Sequence, residues 1–228
     1  VFVNASAQNG PFHITNENGG SISFSLTNAI VKNNIFLGAG GVLYLNWVGP
    51  SAVTFAASHF DNNWSNGGTV AFIQTSFVGT VSMISCLVEN LDGEALSIGN
   101  AANTSITITQ SAFNNVAGIL TLQPSTGGFT PIAHTLVVTL CTFALPQSDN
   151  EAFILHMERH QLSAVFNDST FIGPAWLLNA TFFADNTQTS SISIQNFKAA
   201  QVGLEGANWL SITGSDSVKL EMENVEVM

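Results

Sequence analysis

Large apolar residues recur about every 28 positions along the whole chain. The recurring residues are Ile30, Phe60, Leu87, Phe113, Phe143, Phe171, Phe197 and Val225. A fixed period of roughly 20 to 50 residues is typical of repeat architectures, in which each repeat forms one unit of a stack. The fold therefore has to be derived from the repeat rather than from any single motif.

Each repeat contains two short strands. In the first strand apolar and small polar residues alternate, which places one set inside and the other outside. A corner rich in Asn, Asp and Gly follows, because these residues tolerate left-handed backbone angles. The first strands begin at Ile22, Val53, Val81, Ile106, Leu136, Ala164, Ile192 and Val218, and the second strands at Phe12, Leu43, Val70, Leu96, Leu120, Phe153 and Leu210.

These repeats predict an all-β protein with one domain, 1–228, folded as a parallel β-helix. The length of 228 residues corresponds to about eight to nine coils of about 28 residues each. Because coils stack about 4.8 Å apart, equivalent residues lie above one another inside the solenoid. The phenylalanines at 113, 143, 171 and 197 are therefore predicted to form a ladder in the core.

The composition excludes several classes of partner. Charged residues make up 8% of the chain, and the four Lys and Arg leave a formal net charge of −11. Nucleic acids and anionic membranes need basic patches, so neither is expected as a partner. No apolar stretch is long enough to span a membrane, so membrane insertion is not expected. The neutral polar surface predicts an extracellular or cell-surface location, and the chain, which lacks an initial Met, is expected to be a mature form or a fragment.

Two cysteines and five glycosylation sequons bear on the predicted extracellular location. Cys86 and Cys141 are predicted about two coils, roughly 9.6 Å, apart, which is too far for a disulfide and favours free buried thiols. The number of sequons is about what chance gives for this composition. The candidate acceptors for N-glycans are Asn4, Asn63, Asn103, Asn167 and Asn179, with Asn63 and Asn103 the best placed.

Two recurring motifs resemble a known group of solenoids. Gly40-Gly-Val-Leu43 and Gly67-Gly-Thr-Val70 look like the strand start of polymorphic outer membrane protein repeats, and Phe60-Asp-Asn-Asn63 looks like their corner. The first half of the chain carries these motifs, and the last four repeats keep neither well. The resemblance to these proteins and to pectate-lyase-like folds implies a right-handed β-helix. It implies a surface-exposed adhesive or structural role by analogy of fold alone.

Pectate-lyase-like enzymes use stacked acids with Ca²⁺ and a basic residue, or an Asp cluster. Asp61 and Glu89 are predicted to stack on adjacent coils, with Glu94 nearby, and Arg159 is the one plausible basic residue. No paired aspartates, nucleophilic triad or phosphate loop is present. The sequence therefore predicts no enzyme activity and no cofactor.

The sharpest polar cluster is His156-Met-Glu-Arg-His160. His156, Glu158 and His160 are weak candidates for a metal site, because alternate residues of a strand share a face. A solvated charged edge is the favoured interpretation, and His59 is interpreted as an isolated surface residue.

The outward residues of the first strands form a neutral face rich in Ser and Thr, whose uses include lateral packing and contact with glycans. It is similar to the faces of ice-binding solenoids, although the unequal coil lengths predict a poor match to the ice lattice.

The C-terminal segment 218–228 has no evident cap. Stacking is therefore predicted to continue, either on further chain or on another subunit. Four tryptophans lie near strand ends or corners: Trp47, Trp64, Trp176 and Trp209.

These features predict a non-catalytic extracellular building block of a filament, coat or adhesin. The predicted partners are other copies or other subunits, through the open ends and the Ser/Thr face, with glycans as further partners. The alternatives are a carbohydrate-active β-helix, resembling a polysaccharide lyase or hydrolase, and a glycan-binding module. An enzyme would show convergent carboxylates in a groove, and a binding module would show tryptophans in a row.

Overall fold

The computed structural model describes residues 2–3, 6–7, 10–75, 79–99, 103–123, 132–144, 153–173, 176–182, 189–200, 210–213 and 217–228. Within these ranges the side chains of 2–3, 6–7, 75, 158–160, 176 and 178–182 are not described. Every pairing between the described strands is parallel, and the described residues contain no helix, so the predicted all-β solenoid with about 28 residues per turn is confirmed. No described helix is long and apolar enough to cross a membrane.

The strands form three long parallel stacks and one short one. Stack I holds β3 (Phe12–Asn16), β7 (Leu43–Trp47), β11 (Ala71–Thr75), the second parts of β13 (Leu87–Gly99) and β15 (Ala112–Leu122), the first part of β18 (Phe153–Asn167), β20 (Trp176–Phe182) and β23 (Leu210–Thr213). Stack II holds β4 (Ile22–Thr27), β8 (Ser51–Ala56), β12 (Gly79–Ile84), β14 (Thr104–Thr109), β16 (Ala133–Thr139), the second part of β18, β21 (Ser190–Gln195) and β24 (Val218–Glu223). Stack III holds β1 (Phe2–Val3), β5 (Ile30–Lys32), β9 (His59–Asp61), the first parts of β13 and β15, β17 (Thr142–Ala144), β19 (Thr170–Ile172), β22 (Lys198–Ala200) and β25 (Glu226–Val227). The short stack holds β2 (Ser6–Ala7), β6 (Ile35–Phe36) and β10 (Trp64–Ser65). The chain passes through stacks I, II and III in that order in each turn.

The turn from stack II to stack III is the most uniform part of the coil. In each of the eight turns described, two residues join the strands. The first has a positive φ between 46° and 55°: Asn28, Ala57, Ser85, Gln110, Leu140, Asp168, Asn196 and Asn224. The second forms a column of mostly small residues, Ala29, Ser58, Cys86, Ser111, Cys141, Ser169, Phe197 and Val225. A left-handed residue turns the chain sharply within two residues, so this corner keeps its shape from coil to coil.

Serine hydroxyls in this column bind the neighbouring coils. The Ser111 hydroxyl accepts a hydrogen bond from the Cys86 backbone N–H at 3.1 Å and donates to the Thr109 carbonyl at 3.0 Å. In the same way, the Ser58 hydroxyl accepts a hydrogen bond from the Ala29 backbone N–H, and the Ser169 hydroxyl accepts one from the Cys141 backbone N–H, each at 3.1 Å. These contacts satisfy backbone groups that the turn would otherwise leave buried without partners.

The interior column of stack III differs from the predicted one. The residues that pair across adjacent coils and point inward are Val31, Phe60, Val88, Phe113, Phe143, Phe171, Ala199 and Val227. The Phe113 and Phe143 rings stack 5.3 Å apart, as the ladder predicts. The assignments of Ile30 and Leu87 were wrong by one residue, which turns both side chains outward, because a strand alternates faces with every residue. Phe197 and Val225 belong instead to the turn column, where Phe197 is fully buried.

The number of closed turns is smaller than the number of predicted coils. Stack II contains eight strands among the described residues, and about six turns enclose a buried interior. The two outer strands lie at the ends of the stack, where Phe24 is half-buried and Met222 is 48% exposed. The difference between about six closed turns and the predicted eight to nine coils is small, because the predicted number includes these end turns. The right-handed winding stays a prediction from the resemblance.

Candidate functional site

The outer surface of stack II is uncharged over its first seven strands. We call the outward residues of these strands the Ser/Thr face. Its three rows are Ser23, Ala52, Thr80, Ser105, Thr135, Ser163 and Ser191; Ser25, Thr54, Ser82, Thr107, Val137, Val165 and Ser193; and Thr27, Ala56, Ile84, Thr109, Thr139, Asn167 and Gln195. All are half-buried or exposed. The alternation predicted from the sequence therefore gives the expected neutral face.

The unequal coil lengths do not disturb this face. Each strand of stack II pairs with the next residue for residue, without a bulge. Extra residues enter the coil between stacks I and II, for example between Leu122 and Ala133. The loops therefore absorb the differences in length, and the poor lattice match stays a prediction.

A polar cluster lies on the outer surface of stack III. His59 and Asp61 alternate on β9, and Glu89 lies opposite Asp61 on β13 of the next coil. The His59 Nε2 and Glu89 Oε2 atoms are 2.9 Å apart. One donor atom from each of the three side chains lies within 4.8 Å of the other two. We call His59, Asp61 and Glu89 the His-Asp-Glu cluster.

Neighbouring side chains hold both carboxylates of this cluster. Asn90 donates a hydrogen bond from Nδ2 to Asp61 Oδ1 at 2.9 Å, and Asn114 donates one to Glu89 Oε1 at 3.1 Å. Lys32 lies on the preceding coil with its Nζ 3.5 Å from Asp61 Oδ2. All three side chains of the cluster are half-buried. The amides fix the carboxylates, while one ammonium partly neutralises the acidic charge.

The predicted adjacency of Asp61 and Glu89 is confirmed, but Glu94 lies elsewhere. The pairing of β13 with β15 shifts between Leu91 and Glu94, so Glu94 belongs to stack I. His59 was missed as a partner because its neighbours are about one coil away in sequence. If the coils are aligned on Phe60 and Val88, rather than on Phe60 and Leu87, His59 lies on the same face as Glu89 and diagonal to it.

The second predicted cluster is described in part. His156 lies on the outer surface of stack I, half-buried, with its ring 5.5 Å from that of Phe153. The side chains of Glu158, Arg159 and His160 lie outside the described residues. The backbone pairing is irregular between Glu158 and His160.

The sequons occupy different environments. Asn63 is 2% exposed, and its Nδ2 donates a hydrogen bond to the Val31 carbonyl at 2.8 Å, so its amide is inaccessible in the folded chain. Asn103 is exposed, and Asn167 is half-buried on the Ser/Thr face. Asn4 and the side chain of Asn179 lie outside the described residues. Glycosylation at Asn103 and Asn167 stays a prediction.

A cavity of about 300 Å³ lies beside the corner that follows stack III. Its lining combines amides, one indole ring and one carboxylate: Asn33, Asn34, Ile35, Asn62, Asn63, Trp64, Asn90 and Asp92. Amides at this corner form a ladder across coils, with Asn62 donating to Asn33 at 2.8 Å and Asn115 donating to Asn90 at 3.0 Å. Through Asn90 the cavity adjoins the His-Asp-Glu cluster.

The row of tryptophans that a binding module would show is not seen in the part of the chain that the structure describes. Trp47 ends β7 and donates from Nε1 to the Gly20 carbonyl at 3.0 Å, whereas Trp64 lies in the short stack. Trp209 and the side chain of Trp176 are not described. An outer row of His13, Tyr44 and Phe72 is present instead, with stacked rings 4.5 and 5.6 Å apart. Because these rings stack on one another along the solenoid, their edges rather than their faces meet solvent.

Both cysteines are buried and free, as predicted, but they lie in one column rather than in neighbouring ones. Ser111 lies between Cys86 and Cys141 in that column. Burial raises the pKa of both thiols above the ordinary value of 9.0. The thiols therefore pack as small apolar groups.

No protein-family model matches the chain, and no curated protein or solved structure is similar enough to count as a match. The structure confirms the resemblance at the level of a parallel β-solenoid. A closer relation to polymorphic outer membrane proteins or pectate-lyase-like proteins remains a prediction.

Proposed function

We propose that this protein is a non-catalytic structural or adhesive element, a building block of an extracellular filament, coat or surface assembly. In this proposal copies pack side by side through the Ser/Thr face. The observation that carries it is the absence of charge from three outward rows on seven successive strands of stack II, all within the described residues. A relation to adhesive outer membrane β-helices would fit this role.

Electrostatics favour this face over the others. With a formal charge of −11, two copies repel each other wherever their acidic residues meet. Stack III and the last strand of stack II carry Asp61, Glu89, Glu221, Glu223 and Glu226. The Ser/Thr face carries none, so two copies can approach there at the lowest electrostatic cost.

The size of the face suits a specific contact. Seven strands about 4.8 Å apart, each about six residues long at about 3.3 Å per residue, cover roughly 670 Å² per copy. A pair would bury about 1,300 Å², above the approximately 1,000 Å² expected of a biological interface. Ser, Thr, Ala and Val have few rotamers, so covering them costs little side-chain entropy. Exposed Ile84 and Val137, at 38% and 39%, add apolar contact area.

The test is sedimentation velocity of the purified chain over a wide concentration range. Thr107 lies in the middle row, on the fourth strand of the face. Thr107→Glu places a carboxylate there and should weaken self-association at least about tenfold, because like charges meet across the contact. Thr142→Glu is the matched control, since Thr142 is exposed on stack III. A native chain that stays monomeric, or equal association of the two variants, would contradict the proposal.

Carbohydrate recognition is the second candidate function. The observation that favours it is the cavity of amides and one indole ring beside the Asp61–Glu89 pair. Aromatic rings and amides are the groups that bind neutral sugars. Affinity electrophoresis in polysaccharide gels should show retardation that Trp64→Ala removes and Trp47→Ala keeps. Release of new sugar ends that Glu89→Gln abolishes would establish the enzymatic form of this alternative.

A further inference from the structure

We propose that the His-Asp-Glu cluster is a binding site for a divalent transition-metal ion of the zinc type. The three side chains come from two adjacent coils, and their donor atoms converge on the outer surface of stack III. The inference is independent of lateral packing, because the cluster and the Ser/Thr face lie on different stacks.

The donor distances suit such an ion after rotation of the side chains. Zinc binds imidazole nitrogen and carboxylate oxygen at about 2.0 to 2.2 Å, so two ligands of one tetrahedral ion lie about 3.3 to 3.6 Å apart. The cluster donors already lie within 4.8 Å of one another, and His59 Nε2 and Glu89 Oε2 are 2.9 Å apart. Closing the site requires the most distant donors to approach by up to about 1.5 Å, which χ rotations of half-buried side chains provide.

The surroundings orient the ligands. Metal-binding carboxylates normally have a second oxygen held by an outer hydrogen bond. Asn90 holds Asp61 Oδ1, and Asn114 holds Glu89 Oε1. Each carboxylate therefore keeps its other oxygen, Asp61 Oδ2 and Glu89 Oε2, for the ion. The backbones of β9 and β13 pair in register beneath the cluster, so the ligands rest on a rigid sheet.

The donor set discriminates between ions. An imidazole nitrogen suits Zn²⁺, Co²⁺ and Ni²⁺, whereas Ca²⁺ and Mg²⁺ prefer oxygen ligands alone. Three protein ligands at a solvent-facing site leave at least one position for water or for an oxygen atom of a partner. The site thus takes a borderline-soft divalent cation and keeps part of its coordination shell open.

Lys32 competes with the ion. Its ammonium lies 3.5 Å from Asp61 Oδ2, the oxygen that the ion needs. Binding of a dication must displace this ammonium into solvent, where the side chain is already 30% exposed. Removing the ammonium should therefore strengthen metal binding, whereas a surface that merely adsorbs cations would respond little to this one residue.

The experiment is titration of the metal-free full chain with Zn²⁺ by isothermal calorimetry. The expected result is one ion per chain, with affinity at least about tenfold weaker in His59→Gln and in Glu89→Gln, and several-fold tighter in Lys32→Gln. Glu89→Gln keeps the shape of the side chain, so it tests the ligand even where His59→Gln impairs folding. Circular dichroism and thermal unfolding report the fold of each variant.

His156→Gln is the matched control, since it makes the same change at a histidine of stack I. Zn²⁺ binding that His156→Gln removes and that both cluster variants keep would overturn the assignment. Absence of Zn²⁺ binding by the native chain, or Ca²⁺ binding that is as tight as Zn²⁺ binding, would also overturn it. Cobalt substitution adds a second readout, since a visible absorption band of bound Co²⁺ should disappear in Glu89→Gln.

Discussion

The outer surfaces of stacks II and III rest on the same in-register backbone but carry opposite kinds of side chain. Stack II presents three rows of short uncharged groups over seven strands, whereas stack III gathers Lys32, His59, Asp61 and Glu89 on three strands. The core beneath both is continuous. The comparison shows that one backbone arrangement carries surfaces of different chemistry, because the outward residues differ while the inward residues form one core.

The interior supports both surfaces, so the largest effect is expected there. Phe143→Ala removes a fully buried ring that stacks on Phe113 and should lower the free energy of unfolding by about 3 to 5 kcal/mol. Urea denaturation measures the change. Thr142→Ala, one residue away and exposed, should change stability by less than about 0.5 kcal/mol. Similar losses for both would show that the stack III column is not core.

The turn column joins stacks II and III, so its loss affects both surfaces by a moderate amount. Ser111→Ala leaves the Cys86 N–H without its acceptor and should cost about 1 to 3 kcal/mol. Ser111→Cys, which matches Cys86 and Cys141 of the same column, should cost less. Equal stability of the alanine variant and the native chain in urea would exclude this role for the hydroxyl.

Leu140 offers a stabilising change at the same corner. It adopts φ 55° and is 52% exposed, a conformation that costs a non-glycine residue about 1 kcal/mol. Leu140→Asn should raise the free energy of unfolding by about 0.5 to 1 kcal/mol, since Asn occupies this position in Asn28, Asn196 and Asn224. Thermal unfolding checks the gain, and a lower melting temperature would contradict it.

The buried thiols give a pH test of the core. Burial raises the pKa of Cys86 and Cys141 above 9.0, so the unfolded chain loses these protons at lower pH than the folded chain. Their contribution to stability is complete below pH 9.0 and is lost as the pH rises through the folded pKa. The double variant Cys86→Ser and Cys141→Ser should show a weaker alkaline loss in urea titrations between neutral pH and high pH. An identical pH profile would exclude this contribution.

The smallest effect concerns an exposed ion pair on stack III. Lys198 Nζ and Glu226 Oε2 are 3.7 Å apart, with side chains 63% and 55% exposed. Glu226→Gln should change stability by less than about 1 kcal/mol, and less still in high salt. A larger loss in a salt-dependent urea titration would mean that charge on stack III contributes substantially to folding.

The sequence predicts the solenoid, the alternation of stack II and the ladder at Phe113, Phe143 and Phe171, because each follows from a local period, but it wrongly extends the ladder to Phe197, whose place is taken by Ala199. It does not predict register where two apolar residues are neighbours, as at Ile30-Val31 and Leu87-Val88, since both fit the inward position. Of the three residues of the candidate metal site, the sequence predicts Asp61 and Glu89 as neighbours. His59 completes it through a contact across coils, and a register error of one residue was enough to hide that contact.

The two-residue corner between stacks II and III divides the coil into a part that keeps its length and a part that varies. Segments can be lengthened between stacks I and II, as between Leu122 and Ala133, while the neighbouring coils stay aligned. A residue inserted at the corner would break the two-residue turn and shift the following strand of stack III out of register with its neighbours. Among the described strands, the connections from stack I to stack II and from stack III to stack I are therefore the places where loops can be exchanged or foreign segments grafted, and the corner between stacks II and III is the place where the length must be kept.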